Sequence, residues 1–327
     1  MFQLIKNFDK ELTHAIEIAK GSAISAPKAP IHNIVVSGMG GSGIGGSFIH
    51  NLVASELIVP YIVNKGYFLP KYVNEHSLVI ICSYSGNTEE SVNAISEAQE
   101  ANAQIVVITS GGQLLSMSQE LQIEHVIIPD GRPPRASMGY SMVQILSVLI
   151  KKALVSDTAL NEMSNAIEFI QSEQETIILE SMHLAAQIGK KFPIIYCEEN
   201  IESVAVRWKQ QFNENAKMLC LHNIYPELNH NELVGWREKN EDIALLILKT
   251  GEEYKRNQYR MQLNLPIFKA ITPTLHEIIA KGNNKTEKLL YLIHFGDWLS
   301  YHLAEIRGYD AMEIDVLIQL KNDLATM

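Results

Sequence analysis

What this chain has little of narrows it first. Cysteine is scarce: Cys82, Cys197 and Cys220 are the only three in 327 residues. They lie on or beside apolar runs, and they form neither a disulfide framework nor a metal-ligand spacing. Buried thiols in a reducing cytoplasm are the reading they support. Basic residues are outnumbered, 27 against 37 acidic ones, for a formal net charge of −10. That balance disfavours nucleic acid and acidic membrane surfaces as partners. No apolar run approaches the ~20 residues of a membrane-spanning helix. Nor is there a secretory leader: Met1 to Lys20 mixes acids and bases along an amphipathic helix, with Leu4, Ile5, Phe8, Leu12, Ala15, Ile16 and Ala19 on one side. Low-complexity tracts are absent. A soluble, cytoplasmic protein is expected, in which an anionic ligand must be met by a local set of donors rather than by a positive field.

What is present is a well-cored α/β chain. Apolar residues make up 46%, and the length favours two domains. After a small-residue, proline-bearing linker over Ser22 to Pro30, short apolar runs predict strands near 33–37, 60–64, 77–83, 104–109 and 124–129. Helical patterns predict helices near 43–56, 88–101, 112–120 and 137–155. This alternation means βαβ units and a parallel sheet with helices on both faces. Helical pattern without a strand fills 157–190. A second alternating region follows, with strands near 193–196, 219–223, 243–249 and 266–270, then a long helix over 285–307, a break at Gly308 and a last helix near 314–325. The organisation read from this is an N-terminal helix and linker over 1–30, a first domain over 31–155, and a second over 156–327.

Two strand-to-helix turns carry the functional signal. Gly38-Met39-Gly40-Gly41-Ser42-Gly43-Ile44-Gly45-Gly46 follows Ile34-Val35-Val36, and Ser83-Tyr84-Ser85-Gly86-Asn87-Thr88-Glu89 follows Leu78-Val79-Ile80-Ile81. Both offer free N–H groups and a positive helix terminus, with no acid until the helix has begun, so both suit an anion. The hydroxyls of Ser83, Ser85 and Thr88 add donors without bulk, and a phosphorylated small molecule is the natural guest. The first turn also matches G-x-G-x-x-G, the dinucleotide fingerprint. That fingerprint expects an acid at the end of the next strand. Here Tyr61-Ile62-Val63 ends in Asn64 and Lys65, so the dinucleotide reading loses its second element.

Candidate chemistry lies further on. Gln211-Phe212-Asn213-Glu214-Asn215-Ala216-Lys217 ends a helical pattern, and Pro226-Glu227-Leu228-Asn229-His230-Asn231-Glu232 follows it. A carboxylate between two asparagines can be held by amides while exchanging a proton. A histidine titrating near neutrality can pass protons to a sugar oxygen. A solvated helix-end charge and a surface turn residue are the competing readings for Glu214 and His230. Arg135, in Gly131-Arg132-Pro133-Pro134-Arg135-Ala136-Ser137, sits in a proline-stiffened loop after the fifth strand, where it can face a developing oxyanion or simply solvent. His222 and His230 do not make a metal site.

These motifs, in this order, resemble the bifunctional phosphoglucose/phosphomannose isomerase family, which is built from two sugar isomerase (SIS) domains. The Ser-x-Ser-Gly-Asn-Thr turn marks SIS domains in general. The Asn-Glu-Asn and Leu-Asn-His-Asn segments, with Glu214 and His230 sixteen positions apart, are more specific. The resemblance implies two flavodoxin-like, doubly wound domains and an aldose–ketose isomerase. It would interconvert glucose 6-phosphate, mannose 6-phosphate or both with fructose 6-phosphate through a cis-enediolate, without cofactor or metal. It also implies that Gly41, Ser42, Ser83, Ser85 and Thr88 hold the phosphate, Glu214 moves the proton between C1 and C2, and Arg135 stabilises the enediolate. His230 would assist ring opening from the partner subunit of a homodimer, and Lys321 would be the family's C-terminal active-site lysine. One departure stands out: where the family carries Asp-Pro-Thr-Pro, this chain has Asp310-Ala311-Met312-Glu313, which bears on whether both C2 epimers are accepted. An isomerase of another phosphosugar, such as an amino sugar or a pentose, and a non-catalytic SIS regulator are the alternatives.

Overall fold

The structure, a computed structural model, describes residues 1–324 and 326. The chain opens with α1 (Phe2–Lys6) and α2 (Phe8–Gly21). A parallel α/β run follows: β1 (Asn33–Gly38), α3 (Gly40–Val53), β2 (Tyr61–Asn64), β3 (Ser77–Ser83), α4 (Glu89–Glu100), β4 (Gln104–Thr109), α5 (Gly112–Glu120), β5 (Glu124–Ile127) and α6 (Met138–Lys151). The long α7 (Thr158–Ile188) leads into β6 (Phe192–Glu198), α8 (Glu202–Glu214), β7 (Leu221–Tyr225), β8 (Ile243–Lys249), α9 (Lys255–Ile271), β9 (Thr274–Ile279), α10 (Lys285–Arg307) and α11 (Asp315–Leu324). Contacts divide the chain into two compact units. One comprises Lys6–Ser172 with Gly282–Leu290, the other Met1–Ile5, Glu173–Lys281 and Tyr291–Met327. The division therefore falls inside α7, whereas the sequence pattern placed a boundary near 155.

In the unit that contains β1 to β5 the sheet order is β2-β1-β3-β4-β5, all parallel. This is the flavodoxin-like order, whose ligand crevice opens at the switch point between β1 and β3. The central strands are apolar throughout because both faces are covered. Val35, Val79, Ile81 and Val107 pack with Ala94, Ile95 and Ala98 of α4 and Leu114 of α5. The opposite face receives α3 and α6, with α2 laid on α6. Part of the glycine-rich run is explained here: a Cβ on Gly46 would come within 2.8 Å of Val36 Cγ1, so glycine lets α3 approach the sheet. The N-terminal helix is in fact two helices, broken at Asn7. Glu11 of α2 is buried and accepts a hydrogen bond from Gly139 N (2.7 Å) at the start of α6.

The other unit has a four-stranded parallel sheet, β7-β6-β8-β9, the same order with the fifth strand missing. Tyr196, Tyr225, Leu245, Ile247 and Phe268 form its core. The strand expected near 266–270 is instead the end of α9, and the strand comes later, at β9. A short apolar run does not distinguish strand from buried helix. Met261, Asn264 and Phe268 are buried while Leu263 is 74% exposed, which is a helical face around Pro266.

Candidate active site

The two turns singled out in the sequence meet at the carboxyl edge of the first sheet, on either side of the switch point. The adjacent ends of β1 and β3 bring them together, with Gly38 beside Cys82 in the ladder. Tyr84 N donates to Ser42 Oγ at 3.3 Å, tying one turn to the other. Ser83 is buried; its Oγ lies 3.0 Å from Thr88 Oγ1 and accepts from Gly86 N at 3.2 Å. Gly86 has φ +69°, and a Cβ there would overlap Gly111 O, so this turn requires glycine. Ser85 is exposed and its Oγ accepts from Asn87 N at 3.3 Å. Neither α3 nor α4 has a side-chain N-cap, which leaves their first N–H groups to a ligand or water. A cleft at this edge is lined by Gly41, Ser42, Cys82, Tyr84, Pro134 and Ser137 among others. Burial pushes the Cys82 thiol up, so it stays protonated.

Arg135 lies between two residues of the cleft lining, Pro134 and Ser137. It is 2% exposed, so it is not a solvent-facing arginine between strand and helix. It belongs to a single 3₁₀ turn, Pro134–Ala136, pressed on the glycine turn: a Cβ on Gly41 would lie 2.5 Å from Pro134 O and 3.3 Å from Arg135 N. Residues that the sequence did not single out fix this loop. Arg132 Nη1 pairs with Glu11 at 3.3 Å, its guanidinium lies 5.5 Å from the centre of the Tyr140 ring, and its N–H donates to Tyr84 Oη at 2.9 Å. Spacing could not have found them, since Glu11 comes from an N-terminal helix more than 120 residues away.

The remaining candidates lie in the other unit. Glu214 is the last residue of α8 and is half-buried. The helix beneath it is fastened to α10: Arg207 Nη2 pairs with Asp297 Oδ2 at 2.9 Å, Gln211 donates to Asp297 Oδ1 at 2.8 Å, Trp208 Nε1 to Leu292 O at 2.8 Å, and Asn215 to Ser300 Oγ at 2.9 Å. With its amide nitrogen turned toward them, Asn213 donates to Met218 O (2.8 Å) and Lys209 O (3.3 Å). The Asn213 amide therefore serves the helix end, not the neighbouring carboxylate. His230 closes a 3₁₀ turn, Glu227–His230, just after β7; it is exposed and its ring has no hydrogen-bond partner among the described residues. Glu232, which the sequence did not single out, braces the segment: its carboxylate accepts from Tyr196 Oη and Asn223 Nδ2. Lys321 lies exposed on α11, a helix that buries none of its described residues.

The equivalent turns of this second sheet are already occupied. After β8, Glu253 is buried and its carboxylate accepts from Thr250 N, Thr250 Oγ1 (3.1 Å) and Gly251 N (3.0 Å). At the end of β6, Glu198 is buried and accepts from Tyr254 N (2.8 Å), Asn257 Nδ2 (2.7 Å) and Asn200 Nδ2 (3.0 Å). Internal carboxylates sit where the first sheet leaves its donors open. Among the described residues no group of three or more His, Cys, Asp or Glu side chains is placed to hold a metal ion, and no helix is long and apolar enough to cross a membrane.

Two parallel sheets in flavodoxin-like order, with one open hydroxyl-and-amide cradle, define a paired SIS-domain protein. The SIS domain model matches residues 29–145, and the bacterial phospho-glucose isomerase C-terminal SIS domain matches 179–324. Among curated proteins, the bifunctional phosphoglucose/phosphomannose isomerase of Caldicellulosiruptor bescii is 33% identical over 99% of both chains. That of Aquifex aeolicus is 32% identical over 92% of this chain and 93% of its own. A D-glucosamine-6-phosphate 4-epimerase of Sulfolobus acidocaldarius is 30% identical over 73% of this chain and 76% of its own. Among solved structures, the C-terminal domain of glucosamine-fructose-6-phosphate aminotransferase from Francisella tularensis superposes with TM-score 0.72 at 14% identity, covering 95% of this chain and 96% of that one; at that identity the likeness is one of fold. The chain belongs to the bifunctional phosphoglucose/phosphomannose isomerase family.

Proposed function

We propose that this protein is an aldose–ketose isomerase of hexose 6-phosphates, interconverting glucose 6-phosphate, mannose 6-phosphate or both with fructose 6-phosphate. The observation that carries the reading is the open cradle at the first sheet's switch point, whose partners are hydroxyls and amide N–H groups. Such a cradle recognises a phosphate without a surrounding positive field. Gly41, Ser42, Ser83, Ser85 and Thr88 hold the phosphate. The C2 proton of the open-chain aldose passes to the Glu214 carboxylate, and the C2–H electron pair becomes the C1–C2 double bond. O1 takes up the displaced carbonyl charge, giving a cis-enediolate. The O2 hydroxyl proton then passes to O1, and return of the carbon-bound proton from Glu214 to C1 as the C2 carbonyl forms gives the ketose. The Arg135 guanidinium offsets the enediolate charge, Lys321 contributes from α11, and His230 assists ring opening.

Two observations support a homodimer in which His230 serves the partner's site. Glu214 ends α8 before β7 begins, and His230 follows the end of β7. A five-residue strand advances the chain by about 13 Å from first to last Cα, so within one chain the two residues lie toward opposite ends of β7. In addition α11 exposes Val316 (81%) and Leu320 (54%) on the helix that carries Lys321. A cytoplasmic location suits the three buried thiols.

A panel of glucose, mannose, glucosamine and pentose phosphates tests the substrate, the amino sugar included because of the epimerase relative. Turnover of the hexose 6-phosphates is expected. Turnover of glucosamine 6-phosphate alone would replace this reading, and turnover of none would make the chain a binding protein. Glu214→Gln should lower kcat by about 10²–10⁴-fold and slow C2 hydrogen exchange in deuterated water. Exchange at the wild-type rate would remove Glu214 from the role.

A further inference from the structure

Lys217 occupies a position where a lysine is out of place unless its side chain is needed. Just past helix α8, Met218 N donates back to Phe212 O at 3.1 Å, and Lys217, the residue before it, is in the left-handed conformation. Its φ is +52°, a conformation glycine adopts freely and a residue with a Cβ resists. The side chain is far from idle. All three ammonium donors are used: Nζ donates to Glu214 O at 2.8 Å, Asp310 O at 2.9 Å and Glu313 O at 2.6 Å. The Glu313 carboxylate lies 3.6 Å away as counter-charge, and its other oxygen accepts from Asp315 N, the first residue of α11, at 2.5 Å. Arg307 adds a parallel tie, donating through Nε to Ala216 O at 3.0 Å.

We propose that Lys217 is a positioning residue: one cation that clasps the Glu214 end of α8 to the 310–313 segment and thereby sets the start of the helix carrying Lys321. The inference rests on the roles assigned above to Glu214 and Lys321. The clasp fixes the main chain of the proton carrier directly, and it orders the stretch containing Met312 through two of its carbonyls. A strained backbone is retained at a site where the strained residue supplies a contact that glycine cannot.

The test uses the full-length protein with Lys217→Gly, Lys217→Met and Lys217→Arg. Lys217→Gly removes the clasp while supplying the residue this φ prefers. Its thermal midpoint is therefore expected near the wild type, with the KM for sugar phosphate and inhibition by inorganic phosphate within about twofold. Its kcat should fall about 10²-fold, the scale of a ~1 Å misplacement, and amides of 308–317 should exchange faster. Lys217→Met should show the same kcat loss, and Lys217→Arg, which keeps the charge but not the three-way geometry, an intermediate value. Wild-type kcat in Lys217→Gly would overturn the proposal. So would a loss spread equally over midpoint, phosphate inhibition and kcat, which marks a merely structural role. Glu214→Gln is the control: if it turns over normally the Glu214 reading fails, while exchange over 308–317 still reads the clasp by itself.

Discussion

Ser85 and Thr88, proposed to hold the substrate's phosphate, offer hydroxyls rather than charge. They stand at the mouth of the turn, Ser85 exposed and Thr88 half-buried, while Ser83 beneath them is buried and holds Gly86 in place. Replacing Ser85 and Thr88 together by alanine should raise KM and leave kcat nearly unchanged. A hydrogen bond to a charged group contributes about 1.5–3 kcal/mol, so each bond lost weakens binding by roughly one to two decades. Steady-state kinetics that show a falling kcat at constant KM would contradict this. A second residue-scale expectation concerns acid. His50, His276 and His302 are all held below their ordinary pKa of 6.5, first by burial. Lys285 pushes His50 further in the same direction, whereas Glu305 opposes the shift of His302. A depressed folded pKa means that the unfolded chain binds more protons, so stability is present above the unfolded value and is lost as pH falls through the folded one. Urea unfolding should therefore show declining stability from about pH 7.5 to 5.5, with a shallower decline in His50→Gln. An unchanged slope in that variant would exclude His50 as a contributor.

At the scale of elements, the pairing of α8 with α10 decides where Glu214 stands. Asp297 is buried and receives Arg207 through two nitrogens, at 2.9 and 3.1 Å, and Gln211 at 2.8 Å. Removing its carboxylate strands a buried guanidinium. Asp297→Ala should cost about 3–5 kcal/mol, the range for breaking a buried ion pair, measurable by chemical denaturation. A cost below ~1 kcal/mol would show that the pair is solvated in solution. The helix ends were harder to read than the helix bodies. Beside Glu214, the Asn213 amide donates to Met218 O and Lys209 O, and Asn215 donates to Ser300 Oγ on α10. Within α9, Leu265-Pro266-Ile267-Phe268 is an apolar run too short to show its period, so strand and helix are equally compatible with it locally. Its partners, Met261 and Asn264 on the same face, settle it.

At the scale of the molecule, the two sheets share one strand order over four strands but differ in their strand-to-helix turns. The first leaves its turn donors open, and the second fills the corresponding positions with Glu253 and Glu198. One phosphate per chain is therefore expected in calorimetric titration with a sugar phosphate; two sites of equal affinity would refute the assignment of these carboxylates as internal occupants. If His230 completes a partner's site, specific activity should fall on dilution in step with dissociation measured by light scattering. A fully active monomer would remove the shared histidine.

The alternation of strands and helices, the parallel sheets and the two glycine- and hydroxyl-bearing turns were legible in the sequence, because these depend on local patterns: apolar runs of strand length, glycines and hydroxyls at strand-to-helix turns, and free helix N-termini. The buried state of Arg135, the bracing of its loop through Arg132 by Glu11 and Tyr84, the fastening of α8 to α10, and the reach of Lys217 to Asp310 and Glu313 follow from the packing of separate elements. Each of these joins residues some fifty to 120 positions apart. No periodicity encodes such contacts, since they arise when separate elements pack and a charged group, taken out of water, must find its partner there.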